Sequence, residues 1–440
     1  MNFFKAHPIF CVFCALILVG LPALFAVAWA WAAWHEAIQQ AMADQLYFSV
    51  FLAVVVFGVI MGAVAYCILL ERKISAWIQD RYGPNRVGPC GLLQPIADGL
   101  KFLLKEDIIP ANVDKALFLL APWMIFVVAL IGFAIIPWGG EFRWPWMADD
   151  AEPLTAQVSS IDIGLLYLLA VSSLGVYGVV LGGWSSNNKY SFYGGMRAAA
   201  QMLSYEIPMG LCILVAILMS GQLRLEGIVA AQSAELLGVS ALNWNVCYYP
   251  LAALILFITA LAEANRMPFD LAESEQELVG GYHTEYSAMK LALFFLAEYA
   301  HMITASAFMV ALFFGGYLIP GWTWLNEDTG VAAMLCRMAV TAAKIFGFIV
   351  LMMVVRWTLP RFRFDQLMRL GWKWLVPISM ILVAAQTVII YADWPRWPAA
   401  LAANVLIFLA AGFFAAARDG KITGRQSSLR RRTGVSVQRA

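Results

Sequence analysis

The stretch AEANRMPFDLAESEQELV, residues 262–279, gathers carboxylates in a chain that has few charges. Only 13% of the 440 residues are Asp, Glu, Lys or Arg, whereas 62% are hydrophobic. Arg266 is the one base of the stretch. The acids are Glu263, Asp270, Glu273, Glu275 and Glu277. Carboxylates held close together repel one another, and this raises the pKa of at least one of them toward neutrality. The stretch therefore indicates a site that takes up and releases protons.

The local pattern predicts how these acids are held. Pro268 stops a preceding helix, and Asp270 with Glu273 has the spacing of an N-cap and its capping-box partner at the start of a short helix. On that helix Glu273 and Glu277 are i, i+4 neighbours, so their like charges repel. The alternative is a plain solvated turn that carries acids without using them.

The composition places the chain in the membrane class. Its mean hydropathy is +0.75 and it contains 17 Trp, and a spanning helix needs about 20 mostly apolar residues. The pattern predicts an all-α, polytopic transmembrane protein with about ten spans and short amphipathic helices in its cytoplasmic loops. The first span is interpreted as a retained helix and not as a signal peptide. The runs lie near 10–34, 46–70, 116–138, 160–183, 197–220, 247–263, 286–319, 332–358, 371–392 and 398–417.

Several charged residues fall inside or at the end of these apolar runs. They are Glu206, Glu263, Glu298 and Lys344. A charge at the middle of a bilayer costs at least about 2.5–3.5 kcal/mol on insertion scales. Each residue alone could belong to a structural ion pair, but together with the acidic stretch they indicate a chain of titratable groups that leads into the membrane.

The distribution of Lys and Arg predicts the orientation. With a cytoplasmic N-terminus, one face of the membrane receives nearly all the basic loops and the Arg-rich tail, whereas the opposite face receives only Arg143, Arg224 and Arg396. Because cytoplasmic loops carry the excess of basic residues, we expect both termini inside. The basic loops are 71–115, 184–197, 264–290 and 356–373.

The first of these loops, ERKISAWIQDRYGPNRVGPCGLLQPIADGLKFLLKEDIIP (71–110), shows two helical patterns. Ile74, Trp77 and Ile78 predict a short amphipathic helix over 74–81 that lies in the interface. A second helix should follow two Gly-Pro turns, with one polar face. That face consists of Gln94, Asp98, Lys101 and Lys105. The alternative is a loop packed on the bilayer, but structured loops of this length are often functional.

Other signals exclude several classes of protein. The net charge of +1 gives no reason to expect a nucleic-acid partner, and the Arg-rich tail beside a span is better suited to anionic headgroups. Cys11 and Cys14 form a C-x-x-C inside an apolar run, where small core residues are the expected interpretation. No metal-ligand set or nucleotide-binding loop appears.

Three segments carry a resemblance to a known family. They are RYGPNRVGPCGLLQPIADGLKFLLKED, MRAAAQMLSYEIP (196–208) and AEANRMPFDLAESEQELVGGYHTEYSAMKLALFFLAEY. They resemble the H subunit of bacterial NADH–quinone oxidoreductase (respiratory complex I), the counterpart of mitochondrial chain one. The resemblance covers residues 46–392. That family usually has eight spans, so this chain would add a helix within 1–45, another within 393–417, and a basic cytoplasmic tail, 418–440.

The resemblance implies a subunit that anchors the membrane arm to the peripheral arm and forms much of the chamber where quinone is reduced. The chamber residues it implies are Arg72, Trp77, Arg81, Asp98 and Lys101. The matching acids Glu206, Glu263 and Glu298 would line a path into the membrane. Asp270, Glu273, Glu275 and Glu277 would lie near its mouth.

The resemblance also implies what surrounds the subunit. The chain would bind no cofactor or metal of its own, with quinone as substrate and the iron–sulfur clusters and FMN in partner subunits. Those partners would be the peripheral-arm quinone-site subunits and adjacent small membrane subunits, in the lipid of a bacterial inner membrane.

Two alternatives stay open. One is the related membrane subunit of a proton-pumping hydrogenase or of a quinone reductase that does not use NADH. The other is an ion-coupled secondary transporter, which the buried Glu and Lys residues would suit. The absence of an internal repeat and the structured cytoplasmic loops weigh against a transporter.

Overall fold

A computed structural model describes residues 44–147, 152–233, 243–271, 279–319, 322–394 and 397–413. These residues form helices and loops, apart from one small antiparallel pair of strands, β1 (Glu141–Phe142) and β2 (Leu154–Thr155). The prediction of an all-α fold is confirmed. The predicted span at 10–34 and the basic tail lie outside the described residues.

Within the described ranges, seven helical segments are long and apolar enough to cross a membrane. They are α1 (Gln45–Ile78), α3 (Lys115–Ile131, continued by a 3₁₀ turn, Gly132–Ile135), α4 (Gly164–Ser185), α5 (Lys189–Ser220), α9 (Ala288–Phe313), α11 (Val331–Thr358) and α12 (Phe364–Leu370), which runs through a π-helical turn, Gly371–Leu375, into α13 (Val376–Tyr391). Two shorter apolar helices are α8 (Pro250–Glu263) and α14 (Trp397–Phe413). The small helices are α2 (Gln94–Leu104), α6 (Leu225–Ala231), α7 (Asn245–Tyr248) and α10 (Thr323–Glu327). The chain is therefore a multi-pass helical membrane protein.

The loops gather at two ends of the bundle, as alternating spans require. At one end Lys290 pairs with Asp107 at 2.8 Å, and the backbone N–H of Phe362 donates to the carbonyl of Pro268 at 3.2 Å. We call this the basic-loop end, because the predicted cytoplasmic loops meet there. At the other end Arg224 pairs with Asp162 at 2.7 Å.

Helix α1 corrects one prediction. Its 34 residues continue without a break to Ile78, so Ile74, Trp77 and Ile78 are its last turns and not a separate interfacial helix over 74–81. At 1.5 Å per residue the helix is about 51 Å long, whereas the hydrocarbon core of a bilayer is about 30 Å thick. Its final turns therefore rise out of the membrane region at the basic-loop end.

Helix α9 forms the centre of the bundle, and most of its residues are buried. It packs against α1, α3, α8 and α11. Its last turn ends at Gly315 and Gly316, which both have positive φ, a conformation that glycine adopts without steric cost. A Cβ on Gly315 would lie 2.5 Å from the indole nitrogen of Trp244, so close packing also requires glycine there.

Lys344 on α11 has a structural role at this helix end. Its ammonium group donates to the carbonyls of Phe314, Gly316 and Leu318 at 2.8–2.9 Å, and it lies 4.4 Å from the centre of the Trp244 ring. A cation is favourable at the C-terminus of a helix, where unpaired carbonyls converge. The interpretation of Lys344 as part of the chain of titratable groups stays a prediction, and the structure adds this contact with a helix end to it.

Candidate functional site: a buried acid–base cluster and an adjoining cavity

Side chains from four separate segments meet at the basic-loop end of the bundle. Glu71 comes from the last turns of α1, Glu298 and Tyr299 from α9, Arg356 from the end of α11, and Arg266 from the loop after α8. We call these five residues the acid–base cluster. The relative exposure of Glu71, Arg266, Glu298 and Tyr299 is 6–8%, so the cluster is inside the protein and not in contact with lipid.

Arg266 and Glu71 organise the contacts. The Arg266 guanidinium lies 3.3 Å from a Glu71 carboxylate oxygen and 4.0 Å from Glu298. It also stacks over the Tyr299 ring at 4.0 Å, a favourable cation–π arrangement. The Tyr299 hydroxyl donates to Glu71 at 2.8 Å, and Arg356 pairs with the other Glu71 oxygen.

The loop after α8 places Arg266 in this position. Asn265 adopts a left-handed conformation with φ 49°, which asparagine tolerates better than most residues. The Arg266 N–H then donates back to the Leu261 carbonyl at 3.1 Å. Gln201 on α5 holds the turn, since its amide donates to the Ala262 carbonyl at 2.8 Å and to Asn265 at 3.3 Å.

The cluster balances two carboxylates with two guanidinium groups. A buried charge is tolerated when it is paired and hydrogen-bonded. Burial by itself would lower the pKa of Arg266, but the facing Tyr299, Glu71 and Glu298 outweigh that effect and the pKa is raised. Arg266 is therefore a permanent cation in contact with three partners.

This arrangement corrects the expectation that the acidic stretch lacks cationic relief. Asp270 pairs with Arg361 at 2.9 Å, from a loop 91 residues further along the chain. Glu298, which was expected to belong to the proton path, lies beside Arg266. Repulsion among unpaired acids does not describe either residue. Glu273, Glu275 and Glu277 lie outside the described residues, as does the short helix predicted to carry them.

Glu263 lies apart from the cluster, at the end of α8, and lines a cavity of about 40 Å³. Ser172 of α4 lines the same cavity, and the Glu206 charge on α5 is near enough to repel the Glu263 carboxylate. Among the residues that the structure describes, no ion pair joins Glu263 or Glu206 to a cation. Glu263 and Glu206 therefore repel each other, which is the kind of interaction that the sequence predicted among the acids of the loop.

Glu206 faces a wider groove of about 630 Å³ on the side of the bundle. Leu203, Ile207 and Trp372 line this groove together with Glu206, and the Trp372 indole N–H donates to Ser204 at 3.2 Å. A carboxylate facing an apolar groove at membrane depth is costly in contact with lipid.

Of the predicted chamber residues, the structure brings two into direct contact. Arg72 pairs with Asp98 of α2 at 2.7 Å, and Gln94 donates to the same carboxylate at 3.1 Å. Arg81 is exposed and donates to Gln79 at 2.7 Å. Lys101 lies over the Phe102 ring at 4.8 Å, and Trp77 is half-buried.

Helix α2 buries none of its residues. Its apolar side chains are exposed: Ile96, Leu100, Leu103 and Leu104. An apolar face of α2 is therefore open in this chain on its own.

Sequence reasoning missed four members of these sites, Glu71, Tyr299, Arg356 and Arg361. Glu71 stands in the quoted ERK segment, but its neighbours there are two bases, so nothing local marked it as buried. Arg356 and Arg361 were counted only as loop charges. Their partners lie 285 and 91 residues away in sequence, and no local pattern indicates such pairs. Within the described ranges no group of three His, Cys, Asp or Glu could hold a metal ion.

Comparison with known proteins identifies the family. A family model for NADH dehydrogenase matches residues 50–387. The H subunit of the NADH-quinone oxidoreductase of Flavobacterium psychrophilum is 48% identical over 329 residues, which cover 74% of this chain and 92% of that protein. The H subunit of the same enzyme from Leptospira biflexa is 48% identical over 332 residues, 74% of this chain and 90% of that protein. The NADH-quinone oxidoreductase subunit 8 of Rhodothermus marinus is 46% identical over 347 residues, 77% of this chain and 97% of that protein. The chain belongs to the NADH dehydrogenase family.

Proposed function

We propose that this chain is the membrane subunit of a proton-translocating NADH–quinone oxidoreductase that forms the quinone chamber and couples quinone reduction to proton movement. Family membership and the names of the relatives support an enzyme subunit that works with the other subunits of respiratory complex I. The names also favour this interpretation over the hydrogenase-related and transporter alternatives. A bacterial inner membrane is the location that fits such a complex.

One observation carries the proposal: two consecutive residues of α1 belong to the two different sites. Glu71 is buried in the acid–base cluster, whereas Arg72 is half-exposed and pairs with Asp98 on the chamber wall. Successive residues of an α-helix point about 100° apart, so one rigid turn reaches both sites. A change of charge or position at the chamber wall therefore acts directly on the cluster.

Quinone reduction would use this connection between the chamber wall and the acid–base cluster. Reducing a quinone to a quinol takes up two electrons and two protons. Arg72 and Asp98 would hold the wall beside the headgroup, and any change in their charge would alter the field at Glu71. FMN and iron–sulfur clusters in partner subunits would supply the electrons.

From the cluster, a proton path would continue into the membrane. Glu298 lies on α9, which reaches the cavity that Glu263 lines, and Glu263 interacts with Glu206 on α5. Asp270 lies just ahead of the acids predicted at the mouth of the path. The sequence of groups runs from the basic-loop end toward the side groove, where an adjacent membrane subunit would continue it.

The test is Glu71→Gln in the intact membrane complex. The amide keeps the size of the side chain but cannot ionise, and its NH2 group donates where a carboxylate oxygen accepts from Arg266, Arg356 or Tyr299, so the balance of charge between the chamber and the cluster is lost. We expect NADH-driven quinone reduction to fall by about tenfold, equivalent to about 1.4 kcal/mol. Oxidation of NADH by a water-soluble artificial acceptor should remain.

Asp162→Asn is the matched control, because Asp162 is an exposed carboxylate at the opposite end of the bundle. It should leave both activities unchanged. Wild-type quinone reduction in a fully assembled Glu71→Gln complex would contradict the proposed coupling. Loss of the subunit from the purified complex would instead identify Glu71 as a residue of assembly, and Glu71→Asp, which keeps the charge, would then separate charge from fit.

A further inference from the structure

The cavity beside Glu263 contains a second ionisable side chain, His301. Five segments surround the cavity: α3 with its 3₁₀ extension, α4, α5, α8 and α9. The polar groups in its lining are Glu263, His301, Ser172 and Thr304, and the remaining lining is largely apolar, with Leu168, Met209 and Phe308 among its residues. The path of acidic residues proposed above does not include this histidine, and the family comparison assigns no role to it.

His301 is placed to face this space. It lies one helical turn after Glu298 on α9, so it continues the line of ionisable groups that begins in the acid–base cluster. Its Nε2 atom is buried, and no group among the described residues forms a hydrogen bond with it. A buried imidazole nitrogen without a partner is costly, which indicates that something in the cavity satisfies it.

The size and chemistry of the cavity fit water. A cavity needs about 10–15 Å³ of space open to the centre of a water molecule to hold one, and a buried water needs two to four polar partners. The cavity offers about 40 Å³. Glu263 and His301 Nε2 supply two partners. The hydroxyls of Ser172 and Thr304 already donate to backbone carbonyls and can still accept.

We infer that His301 and Glu263 share bound water in this cavity, and that His301 is a further proton-carrying group on the path proposed above. This inference rests on the proposed function, and it adds a residue and a hydrated site to it. In the transfer step, the imidazolium gives its Nε2 proton to the water while the water gives a proton to the Glu263 carboxylate. One N–H bond breaks, one O–H bond forms, and the pair keeps a net charge of zero.

The charges around the pair are consistent with this transfer. Among the described residues that line the cavity, Glu263 and His301 are the ionisable ones. The Glu206 charge acts on Glu263 from α5, and a neighbouring like charge favours the neutral acid that the step forms. Glu298, one turn before His301, links the histidine to Arg266 and the acid–base cluster. On α9, His301 is therefore the side chain that connects Glu298 of the acid–base cluster with the cavity.

His301→Gln in the intact complex tests the inference, with His301→Asn as a shorter second variant. Both amides can hold a water but cannot carry a proton. Ser306→Ala is the matched control, because Ser306 is a buried polar residue of the same helix that donates to Met302. Quinone-linked proton translocation is measured in H₂O and in D₂O, alongside NADH oxidation by an artificial acceptor.

We expect the amide variants to translocate protons about tenfold more slowly, since a positioned proton-transfer group contributes roughly 10²–10⁴-fold and the hydrated cavity retains part of the path. The rate ratio between H₂O and D₂O should also rise, because proton transfer becomes limiting. A merely structural histidine would leave that ratio unchanged. Amide variants that match Ser306→Ala in both rate and isotope ratio would overturn the inference.

Two further results separate this inference from the proposed function. If Glu263→Gln keeps wild-type translocation, the acidic path itself is wrong and the histidine has no path to serve. If Glu263→Gln abolishes translocation while His301→Gln does not slow it, only the role of His301 fails. A high-resolution map of the wild-type complex should show ordered density between the two side chains, whatever the variants do. A dry cavity in that map would overturn the inference.

Discussion

Arg266→Gln is the most direct perturbation of the acid–base cluster. The substitution removes one of two guanidinium groups that face Glu71 and Glu298, so the formal charge of the cluster changes from zero to −1. It also removes the cation stacked 4.0 Å from the Tyr299 ring. Glu71 keeps Arg356 and the Tyr299 hydroxyl, whereas Glu298 loses the guanidinium group that lies 4.0 Å from it.

The magnitude follows from the burial of the group. Removing one partner of a buried ion pair typically costs about 3–5 kcal/mol, and Arg266 is only 6% exposed. The remaining contacts of Glu71 place the expected loss at the lower end of that range, about 3 kcal/mol. A loss of this size should lower the thermal midpoint at which the subunit dissociates from the purified complex.

The double variant Arg266→Gln/Glu298→Gln measures the specific interaction. Because it restores a formal charge of zero, it should recover about 1–2 kcal/mol of the loss, which lies within the range of coupling energies for residues in contact. The assay is thermal dissociation followed by quinone-linked activity at each temperature. Strictly additive effects of the two substitutions would refute the reasoning, because they would show that Arg266 and Glu298 do not interact.

Two other predictions use different parts of the molecule. Arg81→Ala removes an exposed guanidinium beside the chamber wall and should impair quinone reduction while artificial-acceptor activity persists; equal loss of both with a normal amount of subunit would contradict the assigned position. Lys344→Met leaves three carbonyls at the end of α9 without their donor, and at about 1–3 kcal/mol for each unsatisfied group it should lower the thermal midpoint clearly, whereas exposed Lys189→Met should not. An unchanged midpoint in Lys344→Met would show that these carbonyls find other partners.

The sequence was sufficient for most of the long apolar helices that the structure describes. Apolar runs of about 20 residues predict spans because a bilayer requires backbone groups to be satisfied within each segment. The polar face of α2 was also predictable, and Gln94 does contact Asp98. Local periodicity failed at the end of α1, because an amphipathic pattern over 74–81 does not reveal whether the helix before it stops. No turn residue stands there, and the helix continues.

The partners of the acids could not be predicted, because ion pairs across the bundle depend on which helix ends meet. Arg266 and Glu71 are 195 residues apart, and Asp270 finds its cation in the loop after α11. The partners of Lys344 were equally unpredictable from the sequence. A cation in an apolar run suggested a member of the chain of titratable groups, but no local pattern indicated that the end of α9 supplies three carbonyls that accept from it. The sequence singled out these charged residues, but the packing of the helices determines which partner each of them contacts.

These pairings change where proton exchange should occur. Glu71 and Asp270 each face a guanidinium group, Glu71 that of Arg356 and Asp270 that of Arg361, so both belong to ion pairs that bind loops and helix ends together. Glu263 and Glu206 differ, because each is exposed to the charge of the other and the described structure gives neither a cationic partner. The cluster is therefore suited to sense charge at the chamber, and the two acids deeper in the bundle are suited to carry protons. In the proposed path the acidic stretch would act through Glu263, its first acid, since that residue alone among its described acids lines the cavity.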